Sequence, residues 1–131
     1  MAVLTSAILT MAACSRTEDS AWFREEASAR GINFTHQSGF TGRHLVPQIV
    51  SGGAALADVD GDGDLDAYLV QSGQIDSHNN NVGNRLYLNQ GNGYFNKAPT
   101  DSGTEDRGYG MGIAAGDYDN DGDVDLYITN Y

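Results

Sequence analysis

The sequence predicts an all-β chain built from a repeated strand–loop–strand unit, and three observations predict it. A nine-residue acidic loop occurs twice, as Asp58-Val59-Asp60-Gly61-Asp62-Gly63-Asp64-Leu65-Asp66 and as Asp117-Tyr118-Asp119-Asn120-Asp121-Gly122-Asp123-Val124-Asp125. Each loop sits between short strand-like runs, with Ala67-Tyr68-Leu69-Val70 following the first and Leu126-Tyr127-Ile128-Thr129 the second. Sliding the sequence on itself aligns Gly53, Ala55, the loop and Tyr68 with Gly112, Ala114, the second loop and Tyr127, an offset of 59 residues. A four-stranded sheet with its turns takes about 40 to 60 residues, which is one blade of a β-propeller. The expectation is a partial β-propeller of about one complete blade plus the start of the next, with a short N-terminal helix after a signal segment. Propellers close with about four to eight blades, so the chain reads as a fragment of a longer protein.

In chain order, residues 1–14 form an apolar stretch too short to span a bilayer and sized like the core of a signal peptide. Its end, Met11-Ala12-Ala13-Cys14, resembles a bacterial lipobox, in which the cysteine is lipidated and becomes the new N-terminus. Met11 stands where Leu is usual, and no Lys or Arg precedes the run. A plain cleaved signal, or an apolar N-terminus with a buried thiol, is the other reading. On either signal reading the protein works outside the cytoplasm, as a membrane-anchored lipoprotein or a secreted one. Cys14 is the only cysteine, so an intramolecular disulfide is excluded. Residues 15–31 are expected to be a polar tether and a short helix: Ser20 is a candidate N-cap, Ala and Glu favour helix, and Gly31 ends it. Trp22 and Phe23 would pack that helix on the body. Residues 32–131 are assigned to the propeller repeats. Ile32 to His36 alternates like a strand, and Gly39 to Arg43 reads as a turn. Arg85-Leu86-Tyr87-Leu88 and Tyr94-Phe95 flank the turn Asn89-Gln90-Gly91-Asn92-Gly93, a hairpin expected to be the outer half of the blade.

At 131 residues, 40% hydrophobic and 19% charged, the composition is that of one globular domain. The formal net charge is −11, and ten of the 18 acidic residues lie in the two loops. No basic patch exists to displace the counterions of nucleic acid, which excludes it as a partner class.

Five carboxylates within nine residues repel one another unless a hard cation sits among them, and Ca²⁺ takes about six to eight oxygen ligands. Asp58, Asp60 and Asp62, like Asp117, Asp119 and Asp121, would converge as the chain curls, with Gly63 and Gly122 permitting the turn. Asp64 and Asp123 would offer backbone carbonyls, Asp66 and Asp125 would close the shell, and Leu65 and Val124 would point inward. One Ca²⁺ per loop, two in all, is the cofactor expectation. An EF-hand needs a Glu at position 12, where this chain has Leu69 and Ile128, so these are not EF-hands, and the strand-like residues that follow each loop make it a connection between strands.

Asp-x-Asp-x-Asp-Gly-x-x-Asp between short strands, after Gly-Gly-Ala-Ala-Leu-Ala or Gly-Met-Gly-Ile-Ala-Ala-Gly, resembles the FG-GAP/VCBS repeat of integrin-α-like propellers. Phe34-Thr35-His36, Asn84-Arg85-Leu86-Tyr87-Leu88-Asn89 and Tyr109-Gly110-Met111-Gly112 through Asn130-Tyr131 look like the N-terminal part of bacterial proteins similar to cartilage acidic protein, which carry an ASPIC/UnbV domain after the propeller. The resemblance implies Ca²⁺ bound on one face of the propeller, and a propeller that serves as an extracellular platform for a protein or glycan.

No catalytic residue is expected. His36, His44 and His78 lack metal-ligand spacing, and neither a Gly-x-Ser-x-Gly elbow nor a phosphate-binding Gly-x-x-x-x-Gly-Lys motif occurs. Metal-bound Asp residues are poor general acids because the cation keeps them ionised. Asp76 to Asn84 reads as a solvated loop between strands. The expected function is an exported, non-enzymatic Ca²⁺-binding interaction module. The alternatives are a scaffold within a larger polysaccharide-active enzyme and a Ca²⁺-dependent adhesion or surface-assembly protein.

Overall fold

The computed structural model describes residues 22–50, 52–76 and 82–131. The leader and Cys14, most of the tether, and His78 with its neighbours lie outside the described residues, as does the Ser20 cap.

Six strands follow one short helix: α1 (Val46–Val50), β1 (Ala54–Ala57), β2 (Asp66–Leu69), β3 (Arg85–Asn89), β4 (Phe95–Lys97), β5 (Gly110–Gly116) and β6 (Asp125–Asn130). The first four make one antiparallel sheet in the order β1-β2-β3-β4, and β5 and β6 make a two-stranded sheet. The chain is therefore all-β, one four-stranded blade and the inner hairpin of a second. The β3–β4 hairpin forms the outer half of the blade, as its Asn/Gly turn predicts.

The 59-residue repeat holds at the level of register. Ala55 faces Tyr68 and Ala57 faces Asp66 in the first sheet; Ala114 faces Tyr127 and Gly116 faces Asp125 in the second. Alternation along each strand sends Ala55, Tyr68, Leu86 and Ala98 to one face of the first sheet. That face is the core: Tyr68, Val70, Leu86 and Ala98 pack together, and Ile113, Leu126 and Ile128 of the second sheet pack onto them. The two sheets approach closely where β1 meets β5. A Cβ on Gly53 would lie 3.2 Å from the Gly112 Cα, and one on Gly110 would collide with Val70 and come within 2.7 Å of the Gln71 carbonyl.

The segment before α1 crosses the first sheet as an irregular strap, and the strand expected at Ile32–His36 is absent. Its backbone is tied down one group at a time. The Phe95 amide donates to the Arg30 carbonyl (2.8 Å) and the Tyr87 hydroxyl to the Asn33 carbonyl (3.0 Å). The Gln71 side chain donates to the Thr35 carbonyl (3.0 Å) and accepts from the Gln37 amide (2.6 Å), while the Tyr109 hydroxyl donates to the Ser38 carbonyl (2.9 Å).

The helix expected up to Gly31 is, over the described residues, a turn at residues 27–31 closed by the Arg30 amide on the Glu26 carbonyl (2.9 Å). An isolated helix this short is marginal without a packed face, and Trp22 and Phe23, expected to supply one, are 96% and 92% exposed.

Candidate metal centres

Both acidic loops connect the two strands of an antiparallel hairpin, β1 to β2 and β5 to β6. Their curl is enforced by the loops' own backbone. In the first loop, the Asp58 carboxylate accepts the amides of Asp62 (3.1 Å) and Gly63 (2.9 Å), and Asp62 Oδ1 accepts the Asp64 amide (2.9 Å). The second repeats this pattern, with Asp117 accepting from Asp121 (3.1 Å) and Gly122 (3.1 Å), and Asp121 Oδ1 from Asp123 (2.9 Å). Gly63 and Gly122 sit at φ +93° and +98°, a region closed to most side chains. At the place of Gly61 (φ +74°) the second loop has Asn120 at φ +60°, one of the few residues that tolerates the left-handed conformation.

This curl brings three carboxylates of each loop together. Asp58, Asp60 and Asp66 each offer an oxygen within 4.8 Å of the others, and so do Asp117, Asp119 and Asp125. Two ligand oxygens on one Ca²⁺ lie at most about 5 Å apart, twice the Ca–O distance. The spacing and the all-oxygen donor set fit a hard divalent cation. Asp62, Asp64, Asp121 and Asp123 lie outside these triads, with Asp62 and Asp121 engaged by backbone amides. Leu65, expected to point inward, is 54% exposed, while Val124 at the same position of the second loop is partly buried.

The loops differ in one respect. Asp66 is 1% exposed, and its two oxygens accept the amides of Val59 (3.0 Å) and Asn89 (2.8 Å). Asp125 is exposed and accepts the Tyr118 amide (2.8 Å). The sequence places Asn89 at the start of a turn and at the end of Asn84-Arg85-Leu86-Tyr87-Leu88-Asn89, and its contact with Asp66, across a strand register, leaves no local signal. Crowding shows electrostatically at Asp60, whose carboxyl is held above its ordinary value by desolvation first and then by the Asp62, Asp66 and Asp58 carboxylates, against the lowering effect of the Asp62 amide.

The histidines take other parts. His36 Nε2 is 3.0 Å from Ser72 Oγ, and His44 stacks against Phe40 at 5.0 Å between ring centroids. Among the described residues, no helix is long and apolar enough to cross a membrane.

No curated protein and no solved structure matches the chain. A family match does exist: residues 58–128, more than half of the chain, match the FG-GAP-like repeat. The match runs from the first residue of the first acidic loop to the third-from-last residue of β6, and so spans both carboxylate triads. With its repeated loop, its matching strand register and this match, the chain belongs to the FG-GAP-like repeat family.

Proposed function

We propose that each acidic loop binds one Ca²⁺ and that the protein is an extracytoplasmic, non-enzymatic module whose Ca²⁺-stiffened blades present a surface to a protein or glycan. The observation that carries this reading is the pair of carboxylate triads at equivalent positions of two consecutive inner hairpins. In each, positions 1, 3 and 9 would hold the ion, which would neutralise the crowded carboxylates and brace the hairpin. The resemblance to bacterial proteins similar to cartilage acidic protein and the leader ending at Cys14 support export, with anchorage through a lipid.

Calorimetric titration of the full chain with CaCl₂ tests the metal reading. The expected result is about two ions per chain, with dissociation constants of about 10⁻⁴ to 10⁻³ M, the range of extracellular modules. No binding heat and no spectral change over that range would overturn it. Glycan-array and protein-capture binding that disappears in EDTA would support the platform role.

A further inference from the structure

We propose that Asn92 is a modification site: its side-chain amide is lost to a cyclic imide formed with the Gly93 nitrogen, and water opens that imide to aspartate and isoaspartate within the β3–β4 turn.

Asn92-Gly93 is the only Asn-Gly step in the chain, and Asn92 is exposed in the connection between β3 and β4. Its Oδ1 accepts the Tyr94 amide (3.0 Å), which folds the side-chain carbonyl back over the peptide leading into Gly93. The electrophilic Asn92 Cγ and the nucleophilic Gly93 nitrogen thereby belong to one closed, hydrogen-bonded ring. Gly93 sits at φ +73° and has no Cβ to shield its nitrogen. Every other described asparagine precedes a residue whose side chain crowds that nitrogen, and Asn84 is in addition buried. The Gly93 amide proton points at a neutral acceptor, Asn89 Oδ1 (3.1 Å), so solvent base must remove it. The freed nitrogen then attacks Asn92 Cγ, a C–N bond closes the imide, and the side-chain nitrogen leaves as ammonia. Water adding at the former side-chain carbonyl gives aspartate, and water adding at the main-chain carbonyl gives isoaspartate.

The two products differ in what they do to the turn. Aspartate keeps an oxygen for the Tyr94 amide and leaves the main-chain path unchanged. Isoaspartate runs the main chain through the former side chain and adds a methylene between residues 92 and 93. The turn is closed by the Gln90 amide on the Tyr94 carbonyl (2.9 Å). It is held to the N-terminal segment by Arg30, whose Nη1 donates to the Gly93 carbonyl (3.3 Å) and whose guanidinium lies 5.6 Å from the centre of the Tyr94 ring. A lengthened turn cannot keep both spacings, so isoaspartate loosens it from Arg30.

The test is to hold the full chain in warm, mildly alkaline buffer and follow its asparagine-bearing peptides by mass spectrometry, with isoaspartate methyltransferase labelling to separate the two acids. The Asn92 peptide is expected to gain acid before that of any other described asparagine, with isoaspartate among its products. Asn92→Ser, which keeps an oxygen for the Tyr94 amide but has no amide to lose, is expected to remove the label. Exchange of the Phe95 amide, which donates to the Arg30 carbonyl (2.8 Å), is expected to quicken in the isoaspartate form and to stay at the parent rate in Asn92→Asp. Acid appearing first at another described asparagine, acid at residue 92 without isoaspartate, label persisting in Asn92→Ser, or unchanged Phe95 exchange in the isoaspartate form would each overturn the proposal. So would modification of residue 92 in the guanidinium-unfolded chain while the folded chain stays intact, since the turn would then shield the amide that it is proposed to present.

Discussion

Asp58 and Asp117 each do two jobs, supplying a carboxylate to a triad and accepting two backbone amides that close the loop. Replacing Asp58 by Ala is therefore expected to abolish Ca²⁺ binding in the first loop and leave the second intact, with Asp117→Ala the mirror case. Calorimetry would show the stoichiometry fall from about two to about one in each variant, whereas loss of both ions in either would mean that the loops are a single unit. Protons compete for the same oxygens. Because the Asp60 carboxyl is held above its ordinary value, it takes up a proton at higher pH than a free Asp, so binding in the first loop should weaken as pH falls toward the carboxylate range, about 4. Tyr68 gives the opposite end of the pH scale. Its hydroxyl donates to the Thr104 carbonyl (2.6 Å), and burial first, then the Asp106 and Glu105 carboxylates, push its pKa above the ordinary 10.0, with Asn84 pulling the other way. A raised tyrosine favours the neutral form in the fold. The stability it contributes is thus complete below pH 10.0 and is lost as pH rises from there through the raised folded value. Absorbance titration of the phenolates should show Tyr68 ionising late and together with unfolding.

The inner hairpins were legible in the sequence because their signals are local and duplicated: an Asp/Gly loop between short apolar runs, twice, at a fixed offset. Even Asn120 in place of Gly61 preserves the backbone path, since both residues reach positive φ. The β3–β4 hairpin was legible for the same reason, through Asn89 to Gly93. What could not be read is what touches at a distance. Ile32 to His36 alternates like a strand, yet the strap at residues 30–38 forms none, because its main-chain groups are satisfied one at a time by the Tyr87, Gln71 and Tyr109 side chains and by isolated amides, none of which leaves a periodic trace. Nor could the sequence show that Asp62 and Asp121 stand outside the carboxylate triads and accept loop amides instead. At the element scale the expectation concerns stiffness. Both loops are closed by amides that donate to the carboxylate at their first position, so Ca²⁺ should slow exchange of the Asp62 and Gly63 amides and of the Asp121 and Gly122 amides more than exchange in β3. Exchange measured with Ca²⁺ and with EDTA checks this, and an unchanged rate in both loops would contradict it.

The two sheets and the strap meet at Gln71, just past the end of β2. Its backbone amide donates to Asn84 Oδ1 (2.7 Å) within the first sheet, and its carbonyl accepts the Gly110 amide (3.1 Å) from the second. Its side chain holds the strap through Thr35 and Gln37, and Ser72 beside it donates its hydroxyl to the Gly110 carbonyl (2.8 Å). Gln71 is 4% exposed, while Thr35 and Gln37, which it holds, are exposed residues joined to it by part-buried hydrogen bonds. Replacing it by Met keeps the apolar stem and the backbone links but leaves the Gln37 amide and the Thr35 carbonyl without their partner. An unsatisfied buried group costs about 1–3 kcal/mol, and the strap's partial exposure places the expected loss at the lower end, about 1–2 kcal/mol. Leu126→Ala acts on the other bond between the sheets, the apolar one, because Leu126 packs against the core of Tyr68, Val70, Leu86 and Ala98 while remaining partly exposed. Its cost is expected at about 1–2 kcal/mol, below that of a fully buried leucine. If strap and both sheets form one cooperative unit, each variant lowers the midpoint of urea unfolding with its slope unchanged, and tyrosine fluorescence and far-ultraviolet dichroism stay coincident. Two separated transitions in Gln71→Met would mean that the strap or the second sheet unfolds on its own, and that the polar joint at Gln71 is what makes the pieces one molecule.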